Sequence, residues 1–137
     1  MKINIKRIGE NFNLQATSEE GHAFIMDASQ DIGGENTGMR PMQVLLSSLG
    51  GCSAIDVILI LKKQKQEVDS FEVELTGDRE KIEDYSLFKN IILHFKIKGK
   101  LEFEKVERAV KLSLEKYCSV AKTLEPTANI TYKITLN

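Results

Sequence analysis

The stretch Pro41-Met42-Gln43-Val44-Leu45-Leu46-Ser47-Ser48-Leu49-Gly50-Gly51-Cys52-Ser53-Ala54-Ile55-Asp56-Val57-Ile58-Leu59-Ile60-Leu61 decides the fold class. Pro41 suits the first turn of a helix, where its missing N–H costs nothing. From Val44 to Leu61 apolar residues fall on nearly every helical face, the pattern of a central buried helix. Ser47, Ser48, Gly50, Gly51, Ser53 and Asp56 interrupt the run. A membrane span of about 20 residues rarely carries an unpaired Asp among so many small polar residues. A helix in a protein core is therefore expected. Each glycine costs about 1 kcal/mol relative to Ala in a helix interior, so the Gly50-Gly51 pair predicts a kink or a close approach of another backbone. Lys62-Lys63-Gln64-Lys65 supplies the basic end that a helix C-terminus favours.

Working outward, the N-terminal side alternates with the period of strands. Ile3 and Ile5, then Phe12, Leu14 and Ala16, then Phe24 and Met26 form a meander, with turns at residues 9–11 and 18–21. A polar loop over residues 29–38 follows. Its Gly33-Gly34-Glu35-Asn36 lacks the G-x-x-x-x-G-K-[ST] pattern of a phosphate loop. On the C-terminal side Phe71, Val73 and Leu75 alternate, as do Leu93, Phe95 and Ile97, and the charged residues 78–85 read as their connection. Phe103, Val106, Val110, Leu114 and Tyr117 mark an amphipathic helix. Cys118 opens a short continuation ended by Glu125-Pro126, and Ile130, Tyr132, Ile134 and Leu136 make a last strand. The order βββ-α-ββ-α-β predicts an α+β fold, mostly antiparallel sheet covered by helices.

Composition sets the outer limits. The chain has 137 residues, of which 42% are hydrophobic, and a net charge of −1. That size supports one domain with an ordinary core, so residues 1–137 are expected to form a single domain. The near-zero charge offers no electrostatic case for nucleic acid or an anionic membrane as partner. Two cysteines exclude a disulfide-dense secreted scaffold. The N-terminus alternates polar and apolar residues, unlike a signal peptide, so a cytoplasmic setting with free thiols is expected.

Few residues carry chemistry. His22 falls in a turn and His94 on a strand, without H-E-x-x-H, C-x-x-C or a carboxylate cluster at ligand spacing. No metal site and no cofactor are expected on that basis. The serines lack a G-x-S-x-G setting. Cys52 and Cys118 remain. A buried cysteine is commonly a small hydrophobe. A redox role needs three things: proximity of the sulfurs, a cationic group favouring thiolate, and access for a substrate.

The segment 40–57, with Pro41 eleven residues before Cys52, resembles the helical signature of the OsmC/Ohr family, the osmotically inducible and organic hydroperoxide resistance proteins. Tyr117-Cys118-Ser119-Val120-Ala121 is similar to that family's second-cysteine motif, and the element order matches along essentially the whole chain. Gly50-Gly51-Cys52-Ser53 looks like the OsmC-like branch. The resemblance implies an intertwined homodimer with sites at the subunit interface, acting as a thiol-dependent peroxidase on organic hydroperoxides. Cys52 would be peroxidatic, Cys118 resolving, and an external dithiol the reductant.

Classical members of the family carry a glutamate one or two residues after the proline, working with an arginine to organise the thiolate. Met42 and Gln43 stand there instead. Gln43 can hydrogen-bond but cannot anchor an arginine by charge. Arg40 is the first candidate for the stabilising cation and Arg7 the second. Asp56, four residues after Cys52, shares its helical face. It is expected either to anchor that cation or to make a structural hydrogen bond at the dimer interface. The alternative function is a non-catalytic ligand-binding or redox-sensing module of the same fold.

Overall fold

Alternation of small and apolar residues with polar ones makes three short antiparallel strands in the computed structural model, which describes residues Met1–Asn137. They are β1 (Ile3–Arg7), β2 (Leu14–Ser18) and β3 (Ala23–Met26), ordered β1-β2-β3 with Ile5 opposite Ala16 and Ala16 opposite Phe24. Ala16 and Met26 are buried, while Ile3, Ile5 and Phe24 are exposed. The expected meander is present.

The loop after β3 is organised by one buried carboxylate. Asp27 accepts the N–H groups of Ala28, Glu35 and Thr37 at 2.7, 3.0 and 3.1 Å, and the Thr37 hydroxyl at 2.9 Å. Asn13 Nδ2 donates to it at 3.3 Å and also to Thr37 Oγ1. The Thr37 N–H chiefly holds the Asp27 carboxyl below its ordinary value, against the opposing pull of burial. Residues 27–37 thus gain the structure that their polar sequence could not obtain from a core.

Helix α1 (Pro41–Lys63) begins at the proline, as expected, and runs unbroken through Gly50-Gly51. The chain divides into two compact units, Met1–Leu45 and Leu46–Asn137, with the division inside α1. In the second unit Leu49, Gly50, Ser53, Val57 and Leu61 of α1 are buried. Neither the expected kink nor a close backbone is found: a Cβ on Gly50 would stand 2.5 Å from the Leu75 side-chain Cδ1, and one on Gly51 would meet nothing within 4 Å. Ile55, Ile58 and Leu59 are exposed by 69%, 45% and 49%. The helix expected to be buried all round is therefore buried on one side only within a single chain. By length and composition α1 could also cross a membrane. Its Ser53 and Asp56 instead find polar partners within the protein, described below.

The second sheet has the order β4-β5-β6, built from β4 (Glu67–Lys81), β5 (Ser86–Lys100) and β6 (Asn129–Leu136). Central β5 buries Phe88, Ile91, Leu93, Phe95 and Ile97, each worth about 1.5–3 kcal/mol relative to exposure. The three-residue step from Phe88 to Ile91 reflects a bulge. Asp78 pairs Asn90 and Arg79 pairs Phe88, leaving Lys89 as the extra residue. Residues 78–81, expected in a connection, continue β4, and the turn is confined to residues 82–85. Their charges do not oppose a strand, because these side chains are exposed and β5 supplies the backbone partners. β6 runs parallel to β5, since the intervening helical connection crosses back before the last strand begins.

That connection is α2 (Phe103–Leu112), a π-helical turn (Ser113–Tyr117) and α3 (Ser119–Leu124). Val106, Ala109 and Val110 form the buried stripe of α2. The expected single amphipathic helix is thus α2 followed by a widened turn.

Candidate functional site

Cys52 and Asp56 lie one turn apart on α1, hence on one face, and both are partly exposed. Cys118 reaches them from the junction of the π turn and α3. In the π turn the Cys118 N–H donates to Ser113 O, five residues back, at 2.7 Å. Cys118 then turns extended, with φ −72° and ψ 103°, and caps α3. Its Sγ accepts the Ala121 N–H at 3.4 Å, and the residue is wholly buried. The Cys52 Sγ, the Cys118 Sγ and a carboxylate oxygen of Asp56 all lie within 4.8 Å of one another. Both cysteines are free thiols.

Behind this cluster is a buried polar network. Ser113 Oγ donates to Asp56 Oδ2 at 3.0 Å and lies 3.2 Å from Ser53 Oγ. Ser53 and Ser113 have no exposed surface, so these bonds stand in for solvent. The Cys118 thiol is pushed up to about 11 by burial, against the downward pull of the Ala121 N–H. The neighbouring Cys52 adds to the upward push. Cys118 is therefore a protonated thiol at neutral pH, held beside a more accessible cysteine.

The remaining expected residues have local roles. Gln43 Oε1 accepts the Arg40 N–H at 2.9 Å, closing the first turn of α1 as an N3 glutamine does in a capping box. The Arg40 guanidinium donates to Gly38 O at 3.0 Å, and Arg7 donates to Glu10 O at 3.4 Å. Asp56 accepts the Ser113 hydroxyl of its own chain at 3.0 Å. His94 pairs with Thr135 Oγ1 at 2.8 Å across β5 and β6, away from the cysteines. From sequence, Ser53 stands out only as part of the α1 segment and Ser113 is not singled out. The signal was available: Ser113 continues the Val106–Val110 stripe, where a polar residue must be buried and therefore bonded.

The sequence model described as OsmC-like protein matches residues 34–133. The chain belongs to the OsmC-like family. It is 42% identical over 133 residues to the protein YhfA of Escherichia coli K12, a match that covers 96% of this chain and 95% of YhfA. A protein of Aquifex aeolicus VF5 described as hypothetical shares 31% identity, with a TM-score of 0.81 over 99% of this chain and 96% of its own. The fold extends to an organic hydroperoxide resistance protein of Elizabethkingia anophelis, at 17% identity and a TM-score of 0.75, with 100% and 97% covered. The family, the α+β fold and the proximity of the two cysteines thus agree with the sequence reading.

Proposed function

We propose that this OsmC-like protein is a thiol-dependent peroxidase that reduces organic hydroperoxides through Cys52 and Cys118. One observation carries the reading. Two sulfurs 66 residues apart in sequence meet within 4.8 Å, one partly exposed and one buried. The kinship in fold to an organic hydroperoxide resistance protein supports the same substrate class.

The chemistry proceeds in two steps. The Cys52 thiolate attacks the distal peroxide oxygen; an S–O bond forms, the O–O bond breaks, and the departing alkoxide takes a proton to become the alcohol. Cys52 is then a sulfenic acid. The Cys118 sulfur attacks it, the S–S bond forms, and the S–O bond breaks. The leaving hydroxide takes the Cys118 proton as water. An external dithiol restores both thiols by exchange. Arg40 is the cation proposed to favour the thiolate, supplied by a partner copy in this reading, since within one chain twelve residues at about 1.5 Å each along the helix separate it from Cys52. Gln43 accepts its backbone N–H. A cytoplasmic setting belongs to the same proposal, because a pair that must be re-reduced works where thiols are kept reduced.

The working form is a homodimer in this reading. Ile55, Ile58 and Leu59 offer an apolar helical face that one chain leaves open to solvent. A second reading, a ligand-binding or redox-sensing module, is favoured by the uncharged Met42 and Gln43 and by the high value of the Cys118 thiol. Steady-state turnover separates them. With a dithiol reductant, cumene hydroperoxide should be consumed catalytically and faster than hydrogen peroxide, and Cys52→Ser should abolish it. Stoichiometric oxidation without turnover would establish the sensing module instead.

A further inference from the structure

We infer that the reduced Cys52–Asp56–Cys118 cluster is a site for a borderline-soft divalent cation of the zinc type. Two thiolates and one carboxylate would hold it, with solvent in the fourth position. No spaced motif of four protein donors marks it in the sequence. Three suffice where the last position stays open to water. α1 supplies two of them at one-turn spacing, and the π turn delivers the third.

Geometry, chemistry and surroundings each support the assignment. Zinc–sulfur bonds of about 2.3 Å give tetrahedral sulfur–sulfur edges of about 3.8 Å. The three donor atoms already lie within 4.8 Å of one another, so a side-chain adjustment of about 1 Å closes the site. Two sulfurs and one oxygen disfavour calcium and magnesium, which take oxygen, and suit zinc.

The donors are also held from behind, as ligands of metal sites are. Ser113 Oγ fixes the Asp56 carboxylate at 3.0 Å, and Ser113 is in turn placed against Ser53. The Ala121 N–H orients the Cys118 sulfur at 3.4 Å. Such partners set the direction of the donors and raise affinity. Cys118 is buried, while Cys52 and Asp56 are partly exposed, so the cation has a route from solvent on that side. Occupancy and the disulfide exclude each other, since both use the same two sulfurs. The cation would protect the thiols, and oxidation would release it.

The inference rests on the donor geometry and not on peroxidase activity, so its test uses no peroxide. Full-length protein, reduced and stripped with a chelator, is titrated with cobalt(II) and then zinc(II). We expect one cation per chain, a near-ultraviolet sulfur-to-cobalt charge-transfer band, and displacement of cobalt by zinc. Cys52→Ser and Cys118→Ser should each halve the band. Asp56→Asn, nearly isosteric, should keep the band and weaken zinc affinity, as should Ser113→Ala by about 10–100-fold. Diamide-oxidised protein should bind nothing. Wild-type protein without the charge-transfer band overturns the site, as does affinity unchanged in both cysteine variants. Unchanged zinc affinity in a folded Asp56→Asn removes the carboxylate from it.

Discussion

Ser113 Oγ donates to Asp56 Oδ2 at 3.0 Å, joining the carboxylate one turn beyond Cys52 to the π turn that ends in Cys118. A single hydroxyl thus ties together the two segments that carry the cysteines. The bond is inaccessible to water on the Ser113 side, and a bond to a charged acceptor is worth about 1.5–3 kcal/mol. Ser113→Ala should therefore lower unfolding stability by about 1–3 kcal/mol, read as a drop in urea midpoint at constant slope. It should also slow closure of the Cys52–Cys118 disulfide, because the π turn loses its anchor on α1. An unchanged midpoint would mean that the network does not hold the site.

Asp27 gives the fold a defined acid response. Its folded carboxyl is held below the ordinary value of 3.8, chiefly by the Thr37 N–H. A depressed folded value means that the stabilisation is complete above the unfolded value and is lost as pH falls through the folded one. Wild-type melting temperature should fall steeply below about pH 4. Asp27→Asn should be less stable at neutral pH but flatter in that acid window, so the two profiles converge. Scanning calorimetry from neutral pH downward reads the difference.

The two thiols should differ in reactivity with direction set by burial. Cys118, raised chiefly by burial, should resist iodoacetamide at neutral pH in the Cys52→Ser variant. Its rate should climb about tenfold per pH unit as the pH is raised above neutral, since only the thiolate reacts. Cys52 in the Cys118→Ser variant should alkylate faster at neutral pH, because it is partly exposed. Intact-mass time courses at several pH values measure both.

The open apolar face of α1 predicts self-association. Ile55, with 69% of its surface exposed, sits beside Ile58 and Leu59, so wild type should elute as a dimer with matching light-scattering mass. Ile55→Glu should shift it to monomer, since a charge buried at the contact is unpaired. A monomeric wild type would leave that face unexplained by a second copy.

The parts of the fold legible in sequence were those set by periodicity. The apolar run after Pro41 located α1, and alternation located the cores of β4 and β5. The strand ends were not legible, because exposed charged residues such as Asp78–Lys81 carry no burial pattern while backbone pairing still extends the ladder. The parallel setting of β6 and the Asp27 hub depend on contacts distant in sequence. Cys52 and Cys118 illustrate the same limit at the site. Nothing in either local pattern brings them together; only the family resemblance suggested it. Asp56 was visible as a face-mate of Cys52, but its partner Ser113 became apparent only once α2 and its π turn were placed.

The most direct test of the peroxidase cycle is a single turnover. Reduced protein is mixed with one equivalent of cumene hydroperoxide, and free thiols and intact mass are followed together. Rapid loss of both thiols in each chain is expected, with the mass falling by two hydrogens. Cys118→Ser should stop at a sulfenic acid that dimedone traps, and Cys52→Ser should not react. Retention of both thiols over the same period, or equal oxidation of the Cys52→Ser variant, would contradict the account.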